Sequence, residues 1–230
     1  MSTFDLVIFD CDGVLIDSEP LASRTLARAM TTAGMPISSQ QALVDFTGKS
    51  LGDIRQTLLE RGLEDFEGLH RDWQAELFGS FASDLRPMAG IEDLLDRLDA
   101  PICVASNSGH ERLRASLGLT PLWQRFAPRV FSADDVPRPK PAPDLVQHCL
   151  ERCGARPERS VMIDDSAHGI AAARAAGVLP IGFVDPADIR PDRAERLAEA
   201  GAHHIVTGAG ALSALLDPMI IAERKVASLA

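Results

Sequence analysis

Short runs of consecutive apolar residues recur along the chain, and many of their members are β-branched. The clearest runs cover 6–10, 102–106 and 161–165, and weaker runs cover 179–184 and 204–206. A strand with one solvated face alternates apolar and polar residues, whereas a continuous apolar run indicates a strand buried on both faces. The chain is therefore predicted to form a parallel sheet with helices on both sides. Ligands are expected beyond the carboxyl ends of its strands.

The segments between these runs have apolar residues at helical spacing. One long segment shows this spacing throughout. Between residues 18 and 85 the sequence contains no strand-like run, and a capping box of Ser50 and Asp53 is expected to open one helix. We expect an α/β fold with a Rossmann-like parallel-sheet core, formed by residues 1–17 and 86–230. An α-helical cap is expected to be inserted at 18–85.

Acidic residues outnumber basic ones by 33 to 23, which gives a net charge of −10 with neutral histidines. Such a chain repels polyphosphate backbones and anionic membrane surfaces, so nucleic acid and membrane partners are not expected. The four cysteines form no CxxC pair, the chain opens without a basic segment, and no apolar run approaches the ~18 residues of a membrane span. We therefore expect a cytoplasmic monomer that binds a small molecule.

Carboxylates follow two of the predicted strands. Asp10 and Asp12 end the first run and precede a glycine, and Asp164 and Asp165 end the third. Two carboxylates this close repel each other unless a cation or a proton lies between them, and adjacent carboxylates suit a hard, oxygen-ligated cation. Each pair alone also fits a plainer role, because acidic turns are common and acidic residues favour helix N-termini.

Groups that bind anions follow the second run and precede a later helix. Ser106 and Asn107 end the second run, and Ser108 with Glu111 has the form of a capping box, so a helix N-terminus is expected there. A hydroxyl, an amide and free backbone N–H groups at such a place can bind a phosphate. Lys140 is flanked by prolines that stiffen its backbone. A plain helix cap and a rigid turn are the alternatives for these two segments.

The order of these motifs resembles the haloacid dehalogenase superfamily of phosphotransferases. The motifs stand here as the segment 10–14 (DCDGV), Ser106, Lys140 and the pair Asp164 and Asp165. The helical insert resembles the C1-type cap that one subfamily carries between its first and second motifs. The resemblance implies that Asp10 is a nucleophile that forms an aspartyl-phosphate, and that Asp12 is first a general acid and then a general base.

The same resemblance implies a Mg²⁺ ion and a phosphate site. The ion would be held by the Asp10 carboxylate, the Asp12 backbone carbonyl, Asp165, and Asp164 either directly or through water. Dehalogenase members of the superfamily lack an acid at the position of Asp12, so its presence indicates a phosphate ester as the substrate. The groups expected to bind the phosphoryl oxygens are Ser106, the Asn107 backbone and Lys140.

The cap is expected to recognise the leaving group. The segment 17–20 is expected to be its hinge, and Arg24, Lys49 and Arg55 are expected to contact the substrate. For Lys49, an exposed lysine in a turn is the alternative. The chain resembles bacterial phosphatases of sugar, sugar-acid or polyol phosphates, including those similar to 6-phosphogluconate phosphatase. The runner-up is a β-phosphoglucomutase, whose members carry a histidine where this chain has Ala22. Phosphoglycolate phosphatase is a third hypothesis. A phosphoacceptor signalling domain is a distant alternative, because such domains carry no helical cap.

Overall fold

Five of the six strands of the sheet lie where the apolar runs predict strands. The structure, a computed structural model, describes residues 4–47, 49 and 51–227, with side chains up to 217. Six parallel strands lie in the order β3-β2-β1-β4-β5-β6. Their bounds are β1 Leu6–Phe9, β2 Ile102–Ser106, β3 Val130–Ser132, β4 Ser160–Asp164, β5 Leu179–Val184 and β6 His204–Thr207.

Helices occupy most of the remaining described chain, and four of them lie between β1 and β2. These four are α1 Glu19–Thr32, α2 Ser39–Phe46, α3 Leu51–Glu60 and α4 Phe66–Asp84. The later helices are α5 Ile91–Arg97, α6 His110–Ala115, α7 Trp123–Phe126, α8 Asp144–Cys153, α9 Ala167–Ala175, α10 Arg193–Ala200 and α11 Gly208–Ala227. Within the described residues, no helix is long and apolar enough to span a bilayer.

The central strand shows why the apolar runs are continuous. All four residues of β1 are fully buried. Val7 and Phe9 pack into one apolar cluster, whereas Leu6 and Ile8 pack into another. Because successive side chains of a strand point to opposite faces, both faces of the sheet are covered. This confirms the predicted α/β class with a buried parallel sheet.

The helices of the insert pack against one another, and their buried apolar side chains belong to the same cluster as those on one face of the sheet. Helix α1 contacts both α2 and α4. Trp73 of α4 is buried there, and its indole Nε1 donates a hydrogen bond to Thr25 Oγ1 of α1 (3.1 Å). Within 18–85 the regular elements of the described residues are all helices, as the spacing predicts. Ser50, the expected cap of α3, lies outside the described residues.

The two segments that join this insert to the sheet run side by side. The backbone N–H of Asp17 donates to the carbonyl of Arg86 (3.0 Å), and that of Met88 donates to the carbonyl of Leu15 (2.9 Å). These two hydrogen bonds hold entry and exit together, so the insert is attached to the core through a narrow double connection. Helix α1 begins two residues after Asp17, beside the carboxyl end of β1.

Candidate active site

A cavity of about 570 Å³ opens at the carboxyl ends of the strands, between the sheet and helices α1–α4. Asp10 follows β1 directly, Ser106 ends β2, and Asp165 follows β4. All three line the cavity together with Asp12 and Lys140. Because parallel strands end at one edge, motifs that are far apart in the sequence meet at this place.

Lys140 lies between two carboxylates at the floor of the cavity. Its Nζ donates to Asp10 Oδ1 (2.7 Å), Asp164 Oδ2 (2.8 Å) and the carbonyl of Ala105 (3.0 Å). Burial alone would lower the pKa of Lys140, but the two carboxylates raise it above its ordinary value. The ammonium group is therefore charged throughout the neutral range and its three N–H groups are all used.

Asn107 holds the backbone of Lys140. The Asn107 side-chain amide donates to the carbonyl of Lys140 (2.8 Å), and its Oδ1 accepts from the Lys140 N–H (2.9 Å). The side chain thus fixes the lysine rather than pointing freely into the cavity. Ser106 is buried, and its Oγ accepts from the N–H of Ser108 (3.1 Å). Both Ser106 and Asn107 line the cavity.

Three buried carboxylates converge beside Lys140. Asp10, Asp164 and Asp165 each offer an oxygen, and these oxygens lie within 4.8 Å of one another. Burial raises the pKa of Asp10 to about 7, against the opposing pull of Lys140, and the neighbouring Asp164 charge adds to the rise. Three acids exceed the single charge of Lys140, and an all-oxygen donor set of this size fits a hard divalent cation such as Mg²⁺.

Asp164 is fixed on its other side by the start of α9. Its Oδ1 accepts from both the N–H (2.9 Å) and the hydroxyl (2.6 Å) of Ser166. A Cβ at Gly169 would lie 1.7 Å from Asp164 Oδ2, so only glycine fits there. Some members of the resembled superfamily carry an acid at the Gly169 position. In this chain the Asp164 side chain occupies the space that such an acid would need.

Asp12 is held apart from the three other acids. Its carboxylate accepts from the hydroxyls of Ser18 (2.5 Å) and Ser108 (2.8 Å) and from Arg112 Nη2 (3.2 Å). Burial alone would raise the pKa of Asp12, but Arg112 and the two hydroxyls lower it below its ordinary value. Asp12 is therefore anionic and firmly oriented at the rim of the cavity.

This arrangement corrects the expected capping box of Ser108 and Glu111. Helix α6 begins at His110. Its N-cap residue is Gly109, which has no side chain that could cap the helix. The Ser108 hydroxyl donates to Asp12 instead, and the Asp134 carboxylate accepts from the His110 N–H (2.8 Å). The N–H group at the start of α6 is therefore bonded to Asp134, which is distant in sequence, and not to Ser108.

A sequence model of one protein family matches most of this chain. The model, described as haloacid dehalogenase-like hydrolase, matches residues 7–183, which include every acid and the lysine described above. This chain is a haloacid dehalogenase-like hydrolase. The match confirms the family that the motifs indicated and the prediction of a hydrolytic enzyme.

Individual relatives of this haloacid dehalogenase-like hydrolase include phosphatases. The 6-phosphogluconate phosphatase of Escherichia coli (strain K12) is 32% identical over 181 residues, which are 77% of this chain and 81% of the relative. The fructose-1-phosphate phosphatase YqaB of the same strain is 29% identical over 191 residues, which are 80% and 95% of the two chains. A haloacid dehalogenase-like protein of unknown function from Agrobacterium tumefaciens str. C58 has a similar structure, with TM-score 0.84, 36% identity and coverage of 94% and 99%.

One group of charged residues at the hydrolase site was not predicted from the sequence. Arg193 of α10 donates to Asp165 Oδ2 (2.6 Å), and its Nε lies 3.1 Å from Asp188 Oδ2. Arg190 joins the same Asp188 (2.6 Å) to Glu19 (2.6 Å), the first residue of α1. A chain of ion pairs thus runs from an acid of the carboxylate cluster to the first helix of the insert. The two arginines follow the fifth strand. Their position after the carboxyl end of a strand was the one sequence signal that could have placed them near the site.

The basic residues expected to contact substrate lie in different places. Lys49 lines the cavity, with its Nζ 5.5 Å from the centre of the Phe46 ring. Arg24 pairs with Asp84 (2.8 Å) on the exposed side of the insert and does not line the cavity. Arg55 is also exposed and pairs with a glutamate of α4 (3.4 Å). The structure therefore brings Lys49, but neither arginine, to the cavity.

Apolar side chains form much of the cavity wall that the insert contributes. Phe46, Ile54, Trp73, Leu77 and Phe78 line it. In the sequence these residues fall on helical stripes, which indicate packing and do not distinguish a core position from a pocket wall.

Proposed function

We propose that the chain is a Mg²⁺-dependent phosphatase that hydrolyses a small phosphorylated metabolite, a sugar, sugar-acid or polyol phosphate, through an aspartyl-phosphate on Asp10. The observation that carries the proposal is the position of Asp10 at the floor of the cavity. One of its oxygens is held by Lys140 at 2.7 Å, and Asp12 lies two residues further at the rim. The phosphatase relatives support the reaction class.

Asp10 and Asp12 would divide the chemistry. Asp12, which is anionic while Arg112 contacts it, takes up a proton as the substrate binds. A carboxylate oxygen of Asp10 then attacks phosphorus, the bond from phosphorus to the ester oxygen breaks, and Asp12 gives this proton to the leaving alkoxide. Asp12 then takes a proton from a water molecule that attacks the acyl phosphate, which returns free phosphate and the Asp10 carboxylate. Ser18 and Ser108 hold Asp12 for both transfers.

Mg²⁺ would be held by Asp10, Asp165, the Asp12 carbonyl, and Asp164 directly or through water. When bound, the ion neutralises the charge that accumulates between the nucleophile and the phosphoryl oxygens. Lys140 opposes the rise in the pKa of Asp10 that burial causes, and it offers its positive charge to the phosphoryl group. Ser106 and the Asn107 backbone complete the phosphate site, while the Asn107 side chain keeps Lys140 in place.

The helical insert would act as the cap of the site. We assign the cap to 18–85 and the catalytic core to 1–17 and 86–230, because the double connection at Asp17 joins them. Closure over the cavity excludes water and places the leaving group beside Asp12. Hydrolysis, rather than a mutase reaction, follows from Ala22, which lines the cavity where mutases of the resembled family carry histidine.

The test is phosphate release from a panel of phosphorylated sugars, sugar acids, polyols and glycolate. Wild type should release phosphate, EDTA should stop the reaction, and added Mg²⁺ should restore it. Asp10→Asn should abolish release, whereas Asp72→Asn, a change of an exposed acid of α4, should leave it intact. Turnover by Asp10→Asn would overturn the nucleophile assignment. Faster conversion of β-glucose 1-phosphate to glucose 6-phosphate than to free phosphate would show a mutase.

A further inference from the structure

Arg112 lies at the rim of the cavity with donors that the protein does not use. Its Nη2 donates to Asp12 Oδ1 at 3.2 Å, and its guanidinium lies over the Phe81 ring, 5.6 Å from the ring centre. The side chain lines the cavity, and its buried Nε has no hydrogen-bond partner among the described residues. A guanidinium carries five N–H donors, and the hydrogen bond to Asp12 uses one of those on Nη2, so terminal N–H groups remain for a ligand in the cavity.

The contact between Arg112 and Asp12 is one that a ligand can replace. Asp12 already accepts hydrogen bonds from Ser18 and Ser108, so it keeps two donors when Arg112 turns away. Lys140 differs, because all three of its N–H groups are used by protein oxygens. Among the described residues that line the cavity, Arg112 is a cation that contacts a reacting group and can still pair with a new anion.

The position of Arg112 relates it to the leaving group. The ester oxygen must come within hydrogen-bond distance of Asp12 to receive a proton, and Arg112 Nη2 lies 3.2 Å from that carboxylate. The substituents of the leaving group consequently pass the guanidinium. The wall that the insert contributes is largely apolar, and the indole N–H of Trp73 is already bonded to Thr25. Lys49 also lines the cavity, where its Nζ lies over the Phe46 ring. An anion on the leaving group thus finds its best partner at Arg112, which can bind it through two parallel hydrogen bonds.

We propose that Arg112 selects phosphate monoesters whose leaving group carries a second anion, a carboxylate or a further phosphate, by pairing with that anion. The inference rests on the proposed phosphatase function and adds the substrate class. On binding, the guanidinium moves from Asp12 to the anion of the substrate, and the two serine hydroxyls continue to orient Asp12. Neutral sugar phosphates bind without this contact.

The experiment compares matched substrates that differ only in the second charge. The carboxylate pairs are 3-phosphoglycerate with glycerol 3-phosphate, and 6-phosphogluconate with glucitol 6-phosphate. The phosphate pair is fructose 1,6-bisphosphate with fructose 6-phosphate. With Mg²⁺ present, wild type should show kcat/KM at least about tenfold higher for the charged member of one kind of pair, the size of one charge-assisted hydrogen bond. The kind of pair that responds identifies the anion.

The variants assign this preference to Arg112. Arg112→Gln should reduce the charged-to-neutral ratio of kcat/KM by about tenfold or more, and Arg112→Lys should restore part of it. Arg114→Gln makes the same change at an exposed position of the same helix and should leave the ratio unchanged. Thermal unfolding of each variant shows whether it is folded.

Three results would overturn the proposal. One is an equal loss on both members of every pair, which would mean that Arg112 acts only on Asp12. Another is an unchanged ratio in Arg112→Gln. The third is a wild type that hydrolyses both members without preference, a result that needs no variant. If no sugar phosphate, charged or neutral, releases phosphate, the proposed phosphatase function itself fails and this inference falls with it.

Discussion

Replacing Lys140 with methionine removes the ammonium group that contacts both Asp10 and Asp164. The side chain is 3% exposed, and its two ion pairs measure 2.7 and 2.8 Å. Removing one partner of a buried ion pair costs about 3–5 kcal/mol, because the remaining charge is left buried and unpaired. Lys140→Met should therefore lower the free energy of unfolding by about 3 kcal/mol near pH 8, since part of the cost is relieved when a carboxylate takes up a proton.

The pH dependence gives this prediction its sign. Burial already raises the pKa of Asp10 to about 7 in the presence of Lys140, and without the lysine it must rise further. A folded-state pKa above the unfolded value means that the folded variant binds extra protons, so its stability falls as pH rises through that range. The deficit of Lys140→Met should therefore be larger near pH 8 than near about pH 5.5.

The assay is urea unfolding of wild type and variant at both pH values, without divalent cations. Lys140→Met with Asp164→Asn should recover part of the loss, because one of the two buried anions is gone. Lys49→Met removes an exposed lysine and should change stability by less than about 0.5 kcal/mol. A deficit below about 1 kcal/mol near pH 8, or one that does not depend on pH, would refute the reasoning.

Three further substitutions test other contacts. Arg193→Gln frees the Asp165 carboxylate that it holds at 2.6 Å, so Mg²⁺ affinity measured by calorimetry should fall about 10–100-fold; unchanged affinity would contradict this. Gly169→Ala places a methyl group 1.7 Å from Asp164 Oδ2 and should destabilise the fold by about 1–3 kcal/mol in urea unfolding; wild-type stability would show that the site can adjust. The hydrogen bond from Arg156 lowers the pKa of Asp5 to about 2. Its stabilisation is present above the unfolded pKa and lost as pH falls through the folded pKa, so Asp5→Asn should cost about 1 kcal/mol near neutral pH and only a small part of that near about pH 2. A cost that persists in acid would mean that the pair acts through packing.

Local sequence patterns were sufficient to predict most of the fold and the residues at the floor of the cavity. The run at 102–106 and the strand β2 coincide, because a buried parallel strand needs a continuous apolar sequence. The end of α8 is equally local, since Gly154 after the last helical residue adopts a left-handed conformation with φ of 64°. Strand β3 was not predicted, because its three residues at the edge of the sheet give too short a pattern to read.

The remaining features depend on contacts between distant parts of the chain. Arg112 and Asp12 are 100 residues apart, and no local pattern pairs them. Arg193 reaches Asp165 across a helix, a strand and a loop. Ser108 is a case in which the local pattern was misleading. Its motif predicted a helix cap, but its hydroxyl donates to the carboxylate of Asp12, which is distant in sequence. Residue type and spacing predicted which acids meet, and the tertiary fold decides which partners orient them.

The central claim is that Asp10 becomes covalently phosphorylated during turnover. The most direct measurement mixes Mg²⁺-loaded enzyme with a substrate in a single turnover, quenches it in acid and treats it with borohydride, which reduces an acyl phosphate to an alcohol. Mass spectrometry of the peptide that contains residue 10 should then show homoserine in place of Asp10, and none in the unreacted enzyme. Phosphate release with an unmodified Asp10 at every quench time, or homoserine at Asp12, Asp164 or Asp165 instead, would contradict the account.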